Sequence, residues 1–227
     1  MEIEEITMAR PGEIWVTKFD EEHAQKFRVA VLDVAKSDPS RPVIIYIDSF
    51  GGHVDALAKM IETLDEISNP VVTVCMGKAM SCGAMLLSHG DVRFLGRHSR
   101  VMVHEVSSGT FGNVQDMKDD VKETVRLNEY WMGILAKNCG FKHYEEFRAL
   151  IKEQDGRERY LTGQDAIKFG IVDTIGIPKI GNRLMFEVGK APIKQPFGER
   201  TKQVLIGKKP KKSKRKKLAK KSETKKR

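Results

Sequence analysis

Two spacings of apolar residues alternate along the first three quarters of the chain. Short continuous runs have the length and β-branched character of strands: EIWVT at 13–17, VIIYI at 43–47, VVTVCM at 71–76, VMVHE at 101–105 and IVDTI at 171–175. The runs at 43–47 and 71–76 are apolar throughout, the pattern of strands buried on both faces. Between the runs, apolar residues recur at helical spacing. Ala24, Phe27, Val31, Leu32 and Ala35 predict a helix over 20–36, with Asp20 as its N-cap and Glu21 and Glu22 favoured by the helix dipole. Leu57, Met60, Ile61, Leu64 and Ile67 predict a second helix, stopped by Asn69-Pro70. GKAMSCGAMLLSHG then reads as a small-residue turn leading into a third. A β–α–β–α–β order of this kind predicts an α/β fold built on a parallel sheet with right-handed crossovers.

Beyond the fourth run the periodicity is helical over 114–138, through Val114, Met117, Val121, Val125, Leu127, Trp131, Ile134 and Leu135, with Gly140 as a stop. This helix is expected to serve as core or subunit interface, with Asp116, Asp119 and Asp120 on a solvated face. A shorter helix is expected over 143–153. Thr162 and Asp165 have the spacing of a capping box, and Gly170 is placed to end the helix they start. After Gly181 the pattern weakens, although VLIG at 204–207 has strand character. The expected organisation is a folded domain over 1–181, an extension over 182–207 and a disordered tail over 208–227, which has too few apolar residues to fold alone.

Charge sharpens that division. The net charge of +9 is unevenly spread: thirteen of the forty Lys and Arg residues, but only Glu223 among the acids, lie in Lys208–Arg227. That segment therefore carries +12 and the preceding 207 residues −3, so the high isoelectric point describes a tail and not a basic domain. No run of about eighteen apolar residues is present to cross a membrane. MEIEEITMARPGEIW has no apolar core of a secretory signal and is too acidic for a transit peptide, so the expected compartment is the cytoplasm. Cys75, Cys82 and Cys139 are widely spaced and odd in number, matching neither a disulfide framework nor a zinc site.

Two turns carry candidate chemistry. Ser49-Phe50-Gly51-Gly52 follows a buried strand, and paired glycines let backbone approach a ligand closely while turning an amide outward. Ala79-Met80-Ser81-Cys82-Gly83-Ala84 sets a serine between a strand and the first turn of a helix, where unpaired amides favour developing negative charge. Alone, each has an ordinary explanation: a serine there serves as an N-cap, and Gly-Gly serves a tight turn. His53, His89 and His98 have no partner at ligand spacing and read as surface or packing residues.

Together the turns carry more. IIYIDSFGGHVDALAKMIETL, twenty-nine positions from Gly52 to Ser81, GKAMSCGAMLLSHG, SRVMVHE and RERYLTGQDAIKFGIVDTI follow one another in an order that resembles the ClpP peptidases of the ClpP/crotonase superfamily, over roughly residues 13–176. The resemblance implies twisted sheets flanked by helices, a protruding helical handle through which two rings meet, and serine endopeptidase activity inside a ring-shaped oligomer. By position, Ser81 matches the nucleophile and His104 the general base, and the amides of Gly52 and Cys82 match the oxyanion hole, with substrate along Phe50 and Gly51. The family's third residue, usually Asp, is here Glu158, and Asp155 stands nearby as the alternative. Phe50 replaces a usual Pro, and Cys82 a usual Met of which only the amide is needed. A Ser-His-acid mechanism implies no cofactor and no metal.

The implied partners are polypeptide substrates and further copies of the chain in stacked rings. Only about a dozen residues precede the first strand, which argues against an ATP-driven unfoldase. The tail points either to nucleic acid or an acidic protein surface, bound non-specifically since it has no aromatic residues to stack on bases, or to a solubilising or proteolytically removed segment. Phage prohead proteases, a ClpP-like type that works without an unfoldase, suit a short N-terminus and cationic tail. Two rivals are an acyl-CoA enzyme of the crotonase type and a catalytically inactive ring scaffold or nucleic-acid-binding subunit.

Overall fold

The computed structural model describes residues 13–152 and 158–178. Asp155, the extension and the basic tail lie outside them. In chain order the elements are β1 (Glu13–Val16), α1 (Glu21–Ser37), β2 (Val43–Ser49), α2 (Val54–Glu66), β3 (Val71–Met80), α3 (Cys82–Ser88), β4 (Val92–Leu95), β5 (Arg100–His104), α4 (Val114–Asn138), α5 (Tyr144–Lys152), β6 (Glu158–Leu161), α6 (Gly163–Lys168) and β7 (Thr174–Ile175). The expected α/β architecture is present: a mostly parallel sheet in the order β1-β2-β3-β4-β7, flanked by helices.

Local rules account for the element ends. The Asp20 carboxylate accepts from the His23 amide and caps α1, and Thr162 and Asp165 form the expected capping box of α6. Alternation along β2 splits its side chains: Val43, Ile45 and Ile47 join the main core with Phe27, Leu57 and Leu64, while Ile44 and Tyr46 pack with Val72 and Val74 on the opposite face. Trp15 stacks on Tyr46 there, ring centroids 4.8 Å apart. Both faces of β2 are thus apolar, which explains its unbroken run.

β3 differs from its sequence reading in a way that builds the site. The expected strand stops at Met76, yet the chain stays extended through Met80. Val72–Cys75 pair with β4, and Lys78–Met80 then pair with β5, so β3 forks between two parallel neighbours. Gly77, with φ of 101°, stands at the fork, and its amide donates to Ser99 Oγ. β4 and β6 have no counterpart among the sequence-predicted strands. β4 carries a buried arginine where an apolar residue would announce a strand, and β6 reads ERYL, half of it charged. β6 pairs antiparallel with β5 and places Glu158 opposite His104.

α4 has two characters. Trp131, Met132, Leu135 and Ala136 are buried in the core. Its first half projects, leaving Val114, Met117, Val121 and Val125 exposed along one helical face. Asp116, Asp119 and Asp120 are exposed as expected: Asp116 closes the Asn113 capping box, Asp119 bonds Gln115 and Lys122, and Asp120 accepts from Thr110.

Candidate active site

Ser81 stands where β3 ends and α3 begins, with φ 55° and ψ −121°. Among the described residues no other non-glycine has a positive φ. A side chain held in this region costs on the order of 1–3 kcal/mol and persists only where its surroundings impose it. Here they do: the Ser81 amide donates to the Met102 carbonyl of β5 at 2.9 Å, and the Ser81 carbonyl accepts the Ala84 and Met85 amides that open α3. Ser81 therefore caps with its backbone, and its hydroxyl makes no cap bond. The ordinary N-cap reading of this serine is not what the structure contains.

His104 arrives by the same hydrogen bond. It lies two residues beyond Met102 on β5, so its side chain leaves the strand on the face from which Met102 projects. Ser81 and His104 line one small pocket of about 50 Å³ together with Gly52, Cys82, Met85, Val103, Met132 and Leu135. Its walls are chiefly apolar. Among the described residues no hydrogen bond joins the Ser81 hydroxyl to the His104 ring.

The glycine turn fits over Ser81. Gly51 and Gly52 have φ of 104° and 153°, conformations that L side chains rarely adopt. Gly52 bridges to Phe19, the His53 amide donating to the Phe19 carbonyl at 2.8 Å, and the Gly51 amide donates to Ser49 Oγ at 3.1 Å. Cys82 opens α3, so its amide has no intrahelical acceptor. Its thiol, 3.2 Å from the Gly52 carbonyl, joins the two turns, and burial raises the thiol above its ordinary pKa, which disfavours a cysteine nucleophile.

A family model described as Clp protease matches residues 8–180. The chain belongs to the Clp protease family. The match covers every described element and supports a serine-peptidase type of function.

Within this Clp protease fold the sequence-predicted residues gather unequally. Ser81, His104, Gly52 and Cys82 share one pocket. Glu158 is in register with His104 across β5 and β6, on the same face, but it is exposed and its carboxylate accepts from the Tyr160 hydroxyl at 2.9 Å. That carboxylate raises the Tyr160 pKa. Phe50 is 72 % exposed beside the turn, and the Lys78 ammonium, paired with Asp48, sits 4.4 Å from its ring centroid. His89 is buried against Asp65 at 3.2 Å, a packing role, whereas His53 and His98 are exposed. Among the described residues no cluster of three His, Cys, Asp or Glu side chains is disposed to hold a metal ion, and no helix is long and apolar enough to cross a membrane. Sequence reasoning missed Tyr160 and the Cys82 thiol. Alternation on β6 would have placed Tyr160 beside Glu158 had ERYL been read as a strand.

Proposed function

We propose that the chain is a serine endopeptidase in which Ser81 attacks the scissile carbonyl. His104 takes the Ser81 proton and delivers it to the leaving amine. The amides of Gly52 and Cys82 donate to the oxyanion that forms on the substrate carbonyl oxygen. Glu158 turns from Tyr160 to orient the imidazole and stabilise its charged form; Asp155 is the alternative donor of that carboxylate. Substrate runs along Phe50 and Gly51. The observation that carries this reading is the strained backbone of Ser81, which leaves its hydroxyl without a cap bond at a helix start, beside the Cys82 thiol and in the pocket that His104 lines.

The exposed apolar face of α4 supports assembly into stacked rings, the usual arrangement of the family, since an unpartnered row of Val114, Met117, Val121 and Val125 favours burial against another copy. The cationic tail gives such a particle affinity for nucleic acid or an acidic protein surface, falling with added salt. The engagement of Glu158 by Tyr160 favours one rival, a ring scaffold without activity.

Fluorophosphonate labelling of the full chain, with the modified peptide read by mass spectrometry, separates the two. Modification at Ser81 that disappears in His104→Ala supports the peptidase. An assembled ring that no probe modifies supports the scaffold.

A further inference from the structure

We infer that the Cys82 thiol is a positioning residue, tethering the two halves of the oxyanion hole by donating a hydrogen bond to the Gly52 carbonyl. This rests on the reading of Ser81 as nucleophile and adds a side chain to a site otherwise made of backbone. The two amides in question come from separate turns, Gly52 after β2 and Cys82 at the start of α3, and they must converge on one oxygen atom. Helix α3 fixes the Cys82 amide. The Gly52 amide belongs to the peptide unit between two glycines, the part of the chain with the greatest conformational freedom.

The neighbouring peptide units are held. Before it, the Gly51 amide donates to Ser49 Oγ at 3.1 Å. After it, the unit joining Gly52 to His53 is gripped from both ends: its N–H donates to the Phe19 carbonyl at 2.8 Å, and its C=O lies 3.2 Å from Cys82 Sγ. Of these anchors, only the thiol comes from the residue that supplies the other amide of the hole. It therefore fixes the distance between the two donors directly. Burial keeps the sulfur protonated at neutral pH and so keeps it a donor. The methionine that the resemblance gives for this position has no S–H and could not make this bond.

The test uses the full-length protein and three variants: Cys82→Ala removes the donor, Cys82→Ser restores a shorter one, and Cys82→Met removes it while keeping bulk. Cys82→Ala and Cys82→Met are expected to lower the rate of fluorophosphonate modification of Ser81, and kcat on a fluorogenic peptide, about tenfold with KM unchanged. Affinity for a peptide aldehyde, whose adduct places an oxyanion in the hole, falls in parallel. Cys82→Ser recovers most of each loss. Wild-type rates in both Cys82→Ala and Cys82→Met, or a serine variant no better than alanine, overturn the tether while leaving the peptidase reading intact. If wild-type Ser81 takes no label, the peptidase reading fails instead, and infrared difference spectra of wild type minus Cys82→Ala decide the tether independently. A Cys82 S–H stretch shifted to the low frequency of a bonded thiol supports it, and a stretch at the free-thiol position overturns it.

Discussion

A Cβ added to Gly51 would stand 2.7 Å from the Cβ of Ser81 and 2.9 Å from the Met80 carbonyl. Glycine is therefore required at 51 twice over, by its φ of 104° and by contact with the residue proposed as nucleophile. Neither the Met80 backbone nor the Ser81 Cβ is a flexible chain end that swings aside. Gly51→Ala is expected to push the turn off Ser81, and displacements near 1 Å cost catalysis about a hundredfold. Peptidase assays should register that loss together with a lowered Tm.

Ser81 itself carries strain, and strain of this kind trades stability for function. Glycine adopts φ 55° and ψ −121° without penalty, so Ser81→Gly should stabilise the fold by about 1 kcal/mol, the released strain exceeding the extra flexibility of the unfolded chain. Ser81→Ala keeps the Cβ and should leave stability nearly unchanged. Both variants are expected to take no fluorophosphonate label. Urea unfolding of the three proteins checks the difference, and a Ser81→Gly variant less stable than Ser81→Ala would refute the strain.

How much of this was legible beforehand differs from element to element. The buried strands β2 and the first half of β3 announce themselves, since both faces need apolar side chains. The helix starts at Asp20 and Thr162 are equally plain, because capping is local chemistry. The fork in β3 is not local: Gly77, Lys78 and Ala79 read as a turn, and only pairing with β5 keeps them extended. β4 was hidden by Arg93, whose buried charge is satisfied by a residue eighty positions away. At the site, motif order supplied Ser81, His104, Gly52 and Cys82, and the register of β5 with β6 sets Glu158 opposite His104. The competing Tyr160 and the reach of the Cys82 thiol depend on side-chain geometry that no spacing encodes.

In the proposed mechanism Tyr160 and His104 compete for the Glu158 carboxylate. The bond from the Tyr160 hydroxyl to Glu158 is exposed, so water competes for both partners. Tyr160→Phe should release Glu158 and raise kcat by roughly threefold. Glu158→Gln should lower kcat and cancel the gain when combined with Tyr160→Phe. If Asp155→Asn is the more damaging change, and Tyr160→Phe has no effect, the third role belongs to Asp155.

The Asp20 cap gives a pH dependence whose sign is fixed. The His23 amide donating to its carboxylate lowers the Asp20 pKa in the fold. The stabilisation is therefore complete above the unfolded-state pKa and is lost as pH falls through the lower folded value. Asp20→Ala is expected to cost about 1 kcal/mol at neutral pH, as N-cap removals do. Denaturation curves of the two proteins should converge once pH falls through the lowered folded value, well under the ordinary aspartate pKa, whereas a gap that persists there would mean that the charged carboxylate is not what caps α1.

Arg93 connects the far edge of the sheet to the pocket wall. Its guanidinium makes a two-pronged pair with Asp173, at 3.0 and 2.7 Å, while Nη1 donates to the carbonyls of Gly170 and Asn138. Asn138 is the last residue of α4, the helix whose Met132 and Leu135 line the pocket of Ser81 and His104. Removing one member of a buried pair leaves the other charge without compensation, at about 3–5 kcal/mol. Arg93→Ala should therefore be destabilising by that order in urea unfolding, and Asp173→Ala nearly as much. An apolar pair, Arg93→Met with Asp173→Leu, should recover much of the stability, because burying two charges is itself expensive. It should not recover the anchoring of α4, since methionine cannot donate to the Asn138 carbonyl. The expected signature is a double variant of near-native stability with reduced peptidase activity; full activity in that variant would show that the Arg93 bond to α4 has no part in shaping the pocket.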